Sequence, residues 1–208
     1  MSRRSAIGAA ALFVLGAAFG HSKTESAASA ADAGAREQLA GVARPETLAA
    51  SRAAFLAVYA VLMSPRCMNC HPAGDAPLQG DDSHVHIQGV KRGVDGKGLY
   101  ALKCAACHQE TNLPGLNMPP GNPRWHLPTA AMPLVFQGLS PRELALQLKD
   151  PRRNGGKTLE QLVEHVSHDG LVLGAWQPGA GRTLPPLPHA EFSARFKEWV
   201  DKGAAVPE

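Results

Sequence analysis

The sequence predicts a mainly α protein of short helices joined by long loops rich in proline and glycine. Three observations carry this expectation. Helix start signals recur at Pro45-Glu46, at Ser140-Pro141-Arg142-Glu143 and at Thr158-Leu159-Glu160-Gln161, each with apolar residues at helical spacing behind it. Seven prolines (Pro114, Pro119, Pro120, Pro123, Pro128, Pro133 and Pro141) fall within residues 113–141, too many for a helix or a central strand. One five-residue pattern occurs twice, as Cys67-Met68-Asn69-Cys70-His71 and Cys104-Ala105-Ala106-Cys107-His108, and uses all four cysteines.

Along the chain, Arg3 and Arg4 precede an apolar run from Ala6 to Phe19, and Ala28-Ser29-Ala30 is a small-residue cleavage pattern. This reads as an export signal over residues 1–30, cut near Ala30, with an uncleaved membrane anchor as the alternative. Residues 31–44 read as a flexible leader. Residues 45–208 read as one domain with two halves, about 45–90 and 91–208. A helix is expected over 46–63, with Leu48, Phe55, Leu56, Tyr59 and Leu62 on its apolar stripe, stopped by Ser64-Pro65. Residues 72–98 should be a loop, and Lys97 to Cys107 a second short helix entering the second motif. The proline-rich stretch should lie as an extended wrap. Helices should follow from Pro141 to about Asp150 and from Thr158 through His168. Phe192, Phe196 and Trp199 form a stripe on a terminal helix that should pack against the first one.

The repeated pattern has a specific chemistry. Two thiols three positions apart can add to the two vinyl groups of one haem, and the following histidine then lies under the iron. A zinc site built from two thiol pairs needs no such histidine and usually spaces the pairs by about 15–20 residues. Here 33 residues lie between Cys70 and Cys104. A redox dithiol or two disulfides would also leave the paired histidines unexplained. Two covalently bound haem c groups are therefore expected, attached at Cys67, Cys70, Cys104 and Cys107, with His71 and His108 as proximal ligands. As plates wrapped by the loops, they would supply core that a chain with only 5% aromatic residues otherwise lacks.

The sixth ligands must come from the remaining histidines and methionines. His86 is favoured for the first haem, with His84 as its weaker neighbour. His165 is favoured for the second, from the edge of the apolar face made by Leu159, Leu162, Val163 and Val166, with His168 pointing away. His126, Met118 and Met132 are weaker candidates. Methionine would raise the potential relative to histidine.

Charge excludes one class of partner. Without Arg3, Arg4, Lys23 and Glu25 of the signal, the 21 basic and 18 acidic residues fall to 18 and 17. That balance is no argument for nucleic acid. Lys91, Arg92, Lys97 and Lys103 near the second motif are candidates for docking a redox partner.

The string Gly98-Leu99-Tyr100-Ala101-Leu102-Lys103-Cys104 resembles the first helix of class I cytochromes c, and Met118-Pro119-Pro120 resembles the surroundings of their distal methionine. The two motifs, with Asn117-Met118-Pro119-Pro120-Gly121-Asn122-Pro123-Arg124-Trp125 and Trp199-Val200-Asp201-Lys202-Gly203-Ala204-Ala205, resemble small bacterial dihaem cytochromes c. Members of that group are labelled as cytochrome subunits of isoquinoline 1-oxidoreductase-type molybdenum hydroxylases. The resemblance implies a cytochrome c-like fold and a periplasmic electron carrier, not itself an enzyme, between a dehydrogenase and the respiratory chain. The alternative is a dihaem peroxidase-like enzyme with one open iron and His126 or Glu164 as acid–base group.

Overall fold

The computed structural model describes residues 44–208; the expected signal and all but the last residue of the leader lie outside the described residues. Six α-helices are present among them: α1 (Pro45–Leu62), α2 (Pro65–Met68), α3 (Pro141–Lys149), α4 (Leu159–His168), α5 (Gly170–Leu173) and α6 (His189–Asp201). Four two-residue strands make two antiparallel hairpins, β1 (Leu78–Gln79) with β2 (His84–Val85) and β3 (Gly98–Leu99) with β4 (Leu102–Lys103). No helix of the described residues is long and apolar enough to cross a membrane.

The helices begin where their chemistry says they should. Pro45 occupies the first turn of α1, with Glu46 beside the positive end of the helix dipole. Ser140 and Glu143 form a reciprocal capping box at α3, as do Thr158 and Gln161 at α4, satisfying backbone donors that a helix start otherwise leaves free. The stripe on α1 is shifted from the expected one: Ala54, Phe55, Val58, Val61 and Leu62 face the core, while Leu56 is exposed.

The core lies between α1 and α6, closed by α3 and α4. Phe55 meets Trp199 at 4.6 Å between ring centres, and Phe196 meets Trp199 edge-on at 5.4 Å. Ser51 ties the two helices: its Oγ donates to the Trp199 carbonyl at 2.8 Å and accepts from the Ala205 N–H at 3.0 Å. Val58, Leu144, Leu148, Leu162, Phe192 and Phe136 fill the space between. Burying each such side chain is worth roughly 1.5–3 kcal/mol, so this cluster is the main apolar support of the fold. The expected packing of the terminal helix on the first is observed.

Residues 107–140 hold neither helix nor strand, as the prolines require. The segment before the second motif differs from expectation. Instead of a helix over 97–107, the chain makes the β3–β4 hairpin and then a single 3-10 turn, Cys104–Ala106. Gly96 and Gly98 are the reason. Both have positive φ, and a Cβ would lie 1.9 Å from the Leu127 carbonyl oxygen at Gly96 and 2.4 Å from the Leu102 oxygen at Gly98. A backbone held that way cannot join a right-handed helix.

Candidate functional site

The first motif is presented by α2. Pro65 starts this short helix immediately after α1, and Cys67 lies in it, packed against the edge of the hydrophobic core. Burial pushes the Cys67 thiol up to about 12 and the Cys70 thiol up to about 11. The second motif starts on the 3-10 turn, with Cys104 buried and Cys107 exposed. No two of the four cysteines are joined as a disulfide. A catalytic dithiol requires a depressed thiol pKa, and the first pair has the reverse. Among the described residues no three histidine, cysteine or acidic side chains converge as a metal-binding group.

The two motif histidines are held in the same way. His71 Nδ1 lies 2.7 Å from the Leu134 carbonyl oxygen, and His108 Nδ1 lies 2.7 Å from the Pro120 carbonyl oxygen. A carbonyl only accepts, so each Nδ1 carries the proton and each Nε2 lone pair is left free. This is the arrangement that orients an imidazole toward a metal. Each ring also stacks on an aromatic of the proline-rich segment: His71 on Phe136 at 3.9 Å and 12°, His108 on Trp125 at 4.0 Å and 9°. Burial, against the raising effect of the Leu134 carbonyl, holds the His71 pKa down to about 4; Arg92 and His165 act in the same direction. Burial also lowers the His108 pKa. Both imidazoles are thus kept neutral near pH 7, the form that binds a metal ion. The wrap expected from the prolines supplies both carbonyls and both aromatic plates.

The structure places the candidate distal ligands differently from expectation. His86, favoured as the partner of His71, lies beside His108, with ring centres 6.3 Å apart and planes at 64°. Its Nδ1 is buried without a hydrogen-bond partner among the described residues. His165, favoured as the partner of the second motif, is instead near enough to His71 for its charge to depress that residue's pKa. His165 Nδ1 faces Asp169 at 3.6 Å, and Asp169 in turn accepts from Arg124 and from the Leu171 N–H.

His84 Nδ1 bonds Asp82 at 2.6 Å, and its ring lies over Gly80. His126 Nδ1 is held by the Arg124 carbonyl at 2.5 Å. Met118 is exposed in a loop beside Gly115, and Met132 is half-buried in the wrap. His168 points to solvent and pairs with Glu164 at 3.1 Å, as its position on α4 foretold.

Sequence reasoning missed the role of Arg92. It is not a docking residue: it is almost completely buried. Its guanidinium donates to the carbonyls of Pro128, Pro133 and Gly74 at 3.0–3.1 Å, tying the loop after the first motif to the wrap. Nothing in the local pattern separates this arginine from exposed Lys91 beside it; only Gly93, which follows, marks a tight backbone.

The donors present are of the kind a haem iron takes: each motif imidazole offers an unprotonated Nε2. Comparison with protein-family models, with curated proteins and with solved structures found no match.

Proposed function

We propose that this chain is a dihaem c-type cytochrome that carries electrons. Cys67 and Cys70 would hold one haem and Cys104 and Cys107 the other, with His71 and His108 as proximal ligands. The bound groups supply one-electron chemistry at iron; the chain supplies attachment, axial nitrogen, orientation and a water-poor surrounding. The single observation behind this reading is the matched pair of C-x-x-C-H histidines, each with Nδ1 on a backbone carbonyl, each stacked on an aromatic and each with Nε2 free.

His86, with its ring centre 6.3 Å from that of His108, would offer a second nitrogen to a haem there, which suits a carrier. The peroxidase-like alternative is less favoured. One of its candidate groups, Glu164, is exposed and paired with His168. The export signal read in residues 1–30 and the need for haem attachment outside the cytoplasm make the periplasm the compartment of choice. A dehydrogenase, as in molybdenum hydroxylase systems, is the proposed donor, and a component of the respiratory chain the proposed acceptor. Exposed Lys91, Lys97 and Lys103 are the cations left for steering such a partner.

Intact-mass measurement on protein made in a host that attaches haem c tests the reading. Polypeptide plus two haems is the expected result, with electron paramagnetic resonance of the oxidised protein showing two low-spin irons. A mass equal to the polypeptide alone would overturn it.

A further inference from the structure

The arrangement of His86 deepens the haem reading and rests on it. His86 is carried by the loop that follows the first motif, yet it faces the second. The β1–β2 hairpin that bears it is tied to the first motif: the Leu78 N–H donates to the Asn69 carbonyl at 3.0 Å. Asn69 Nδ2 and Arg66 Nη2 both donate to the Gly80 carbonyl, at 2.9 and 3.2 Å. Asn69 stands between Cys67 and Cys70. The His86 N–H closes the hairpin on the Pro77 carbonyl at 3.0 Å. The hairpin is thus anchored to the first motif while its imidazole lies beside His108 of the second.

The spacing of the rings is informative. A metal–imidazole bond is about 2.0–2.1 Å and an imidazole nitrogen sits about 1.1 Å from its ring centre, so two imidazoles on opposite sides of one ion have centres about 6.3 Å apart. The His86 and His108 centres are 6.3 Å apart. A 64° angle between planes is allowed for rings that share an axis and are rotated about it. The rings make no hydrogen bond to each other. Exposed Val85 and Ile87 flank His86, and exposed Leu99, Tyr100 and Leu102 precede Cys104. These side chains offer apolar surface to a flat apolar group.

We propose that axial ligation is crossed: His86, from the first motif's loop, is the distal ligand of the haem attached at Cys104 and Cys107, opposite His108. The first motif therefore carries its own haem and completes its neighbour's. The haem at Cys67 and Cys70 then takes its sixth ligand from another side chain than His86.

Double exchanges in the holoprotein decide this. His86→Ala alone should convert one of two low-spin irons to high spin. His86→Ala with His108→Ala should still leave one low-spin iron, because both side chains serve the same metal. His86→Ala with His71→Ala should leave none. The reverse pattern, or an unchanged His86→Ala spectrum, overturns the crossed arrangement. If the double variants do not mature, a crystal structure of the wild-type holoprotein gives the same answer: His86 Nε2 on the iron of the haem at Cys104 and Cys107 supports crossing, and on the other iron refutes it. Wild-type protein without haem would instead remove the reading beneath the inference, a separate failure.

Discussion

The two C-x-x-C-H regions hold their histidines alike but stand on different foundations. The first lies against a conventional core: Cys67 touches the helix cluster, and Phe136, which stacks on His71, is itself part of it. The second has little apolar support of its own. Between residues 73 and 133 the buried large apolar side chains are Leu78 and Leu127, while Val85, Ile87, Val94, Leu99, Tyr100, Leu102 and Leu116 are exposed. That region is shaped by glycine turns, the two hairpins and the hydrogen bonds of Arg92. The contrast teaches that one motif is fixed by the polypeptide's own core, whereas the other depends on polar ties and, under the proposed function, on the haem as its apolar centre.

Under the proposed function, removing each thiol pair gives the largest expected difference. Cys104→Ser with Cys107→Ser should leave the α1–α6 core folded, with a cooperative helical melt by circular dichroism, but expose residues 73–133 to limited proteolysis. Cys67→Ser with Cys70→Ser should damage both regions, since this haem would lie against the core. Equal behaviour of the two variants would break the comparison.

The stacked aromatics sharpen it at single-residue scale. Phe136→Ala should cost about 3–5 kcal/mol of global stability, as expected for a large truncation in a packed core. Trp125→Ala should leave the helical unfolding transition within about 1 kcal/mol of wild type and alter chiefly the absorption of the second haem, since Trp125 is only half-buried and outside the core cluster. Denaturant unfolding followed separately by circular dichroism and by haem absorbance distinguishes these outcomes.

The smallest effect concerns the ties between regions. Asp81, beside the first hairpin, accepts from the Thr183 N–H at 3.0 Å and from Arg66 at 2.6 Å. The Thr183 N–H, more than the nearby arginine charges, holds its carboxyl below the ordinary range. A carboxylate whose folded pKa is depressed adds stability above its unfolded value, about 3.9, and loses it as pH falls through the lower folded value. Asp81→Asn should therefore destabilise by less than about 1 kcal/mol at pH 7, because the pair is partly exposed and screened. The difference from wild type should fade below about pH 4. Denaturation midpoints measured from about pH 2.5 to about pH 7 check the sign.

Much of the core half was legible in the sequence. Capping boxes, Pro at first helical positions and the Phe192–Phe196–Trp199 stripe are local signals, and they placed α1, α3, α4 and α6 and the meeting of the first and last helices. That His71 and His108 would be held alike was suggested by the repeat of the C-x-x-C-H run itself. The hairpin before Cys104 was not, because an apparent helical pattern in Leu99, Tyr100 and Leu102 competed with Gly96 and Gly98, and the glycines won through close backbone approach. The neighbours of His71 and His108 were not legible either. Which loop reaches which ring depends on long-range ties such as Leu78 to Asn69 and Arg92 to Pro128, which leave no periodic trace.

The order of the elements along the chain has a consequence for biogenesis. The carbonyls of Pro120 and Leu134 that orient the imidazoles come after both C-x-x-C-H runs. Under the proposed export, N-terminus first, both thiol pairs would emerge before the belt that locks them. Its prolines also hinder premature helix or sheet in that belt. A maturation enzyme would meet open, unencumbered cysteines, and closure would follow attachment as a final latch.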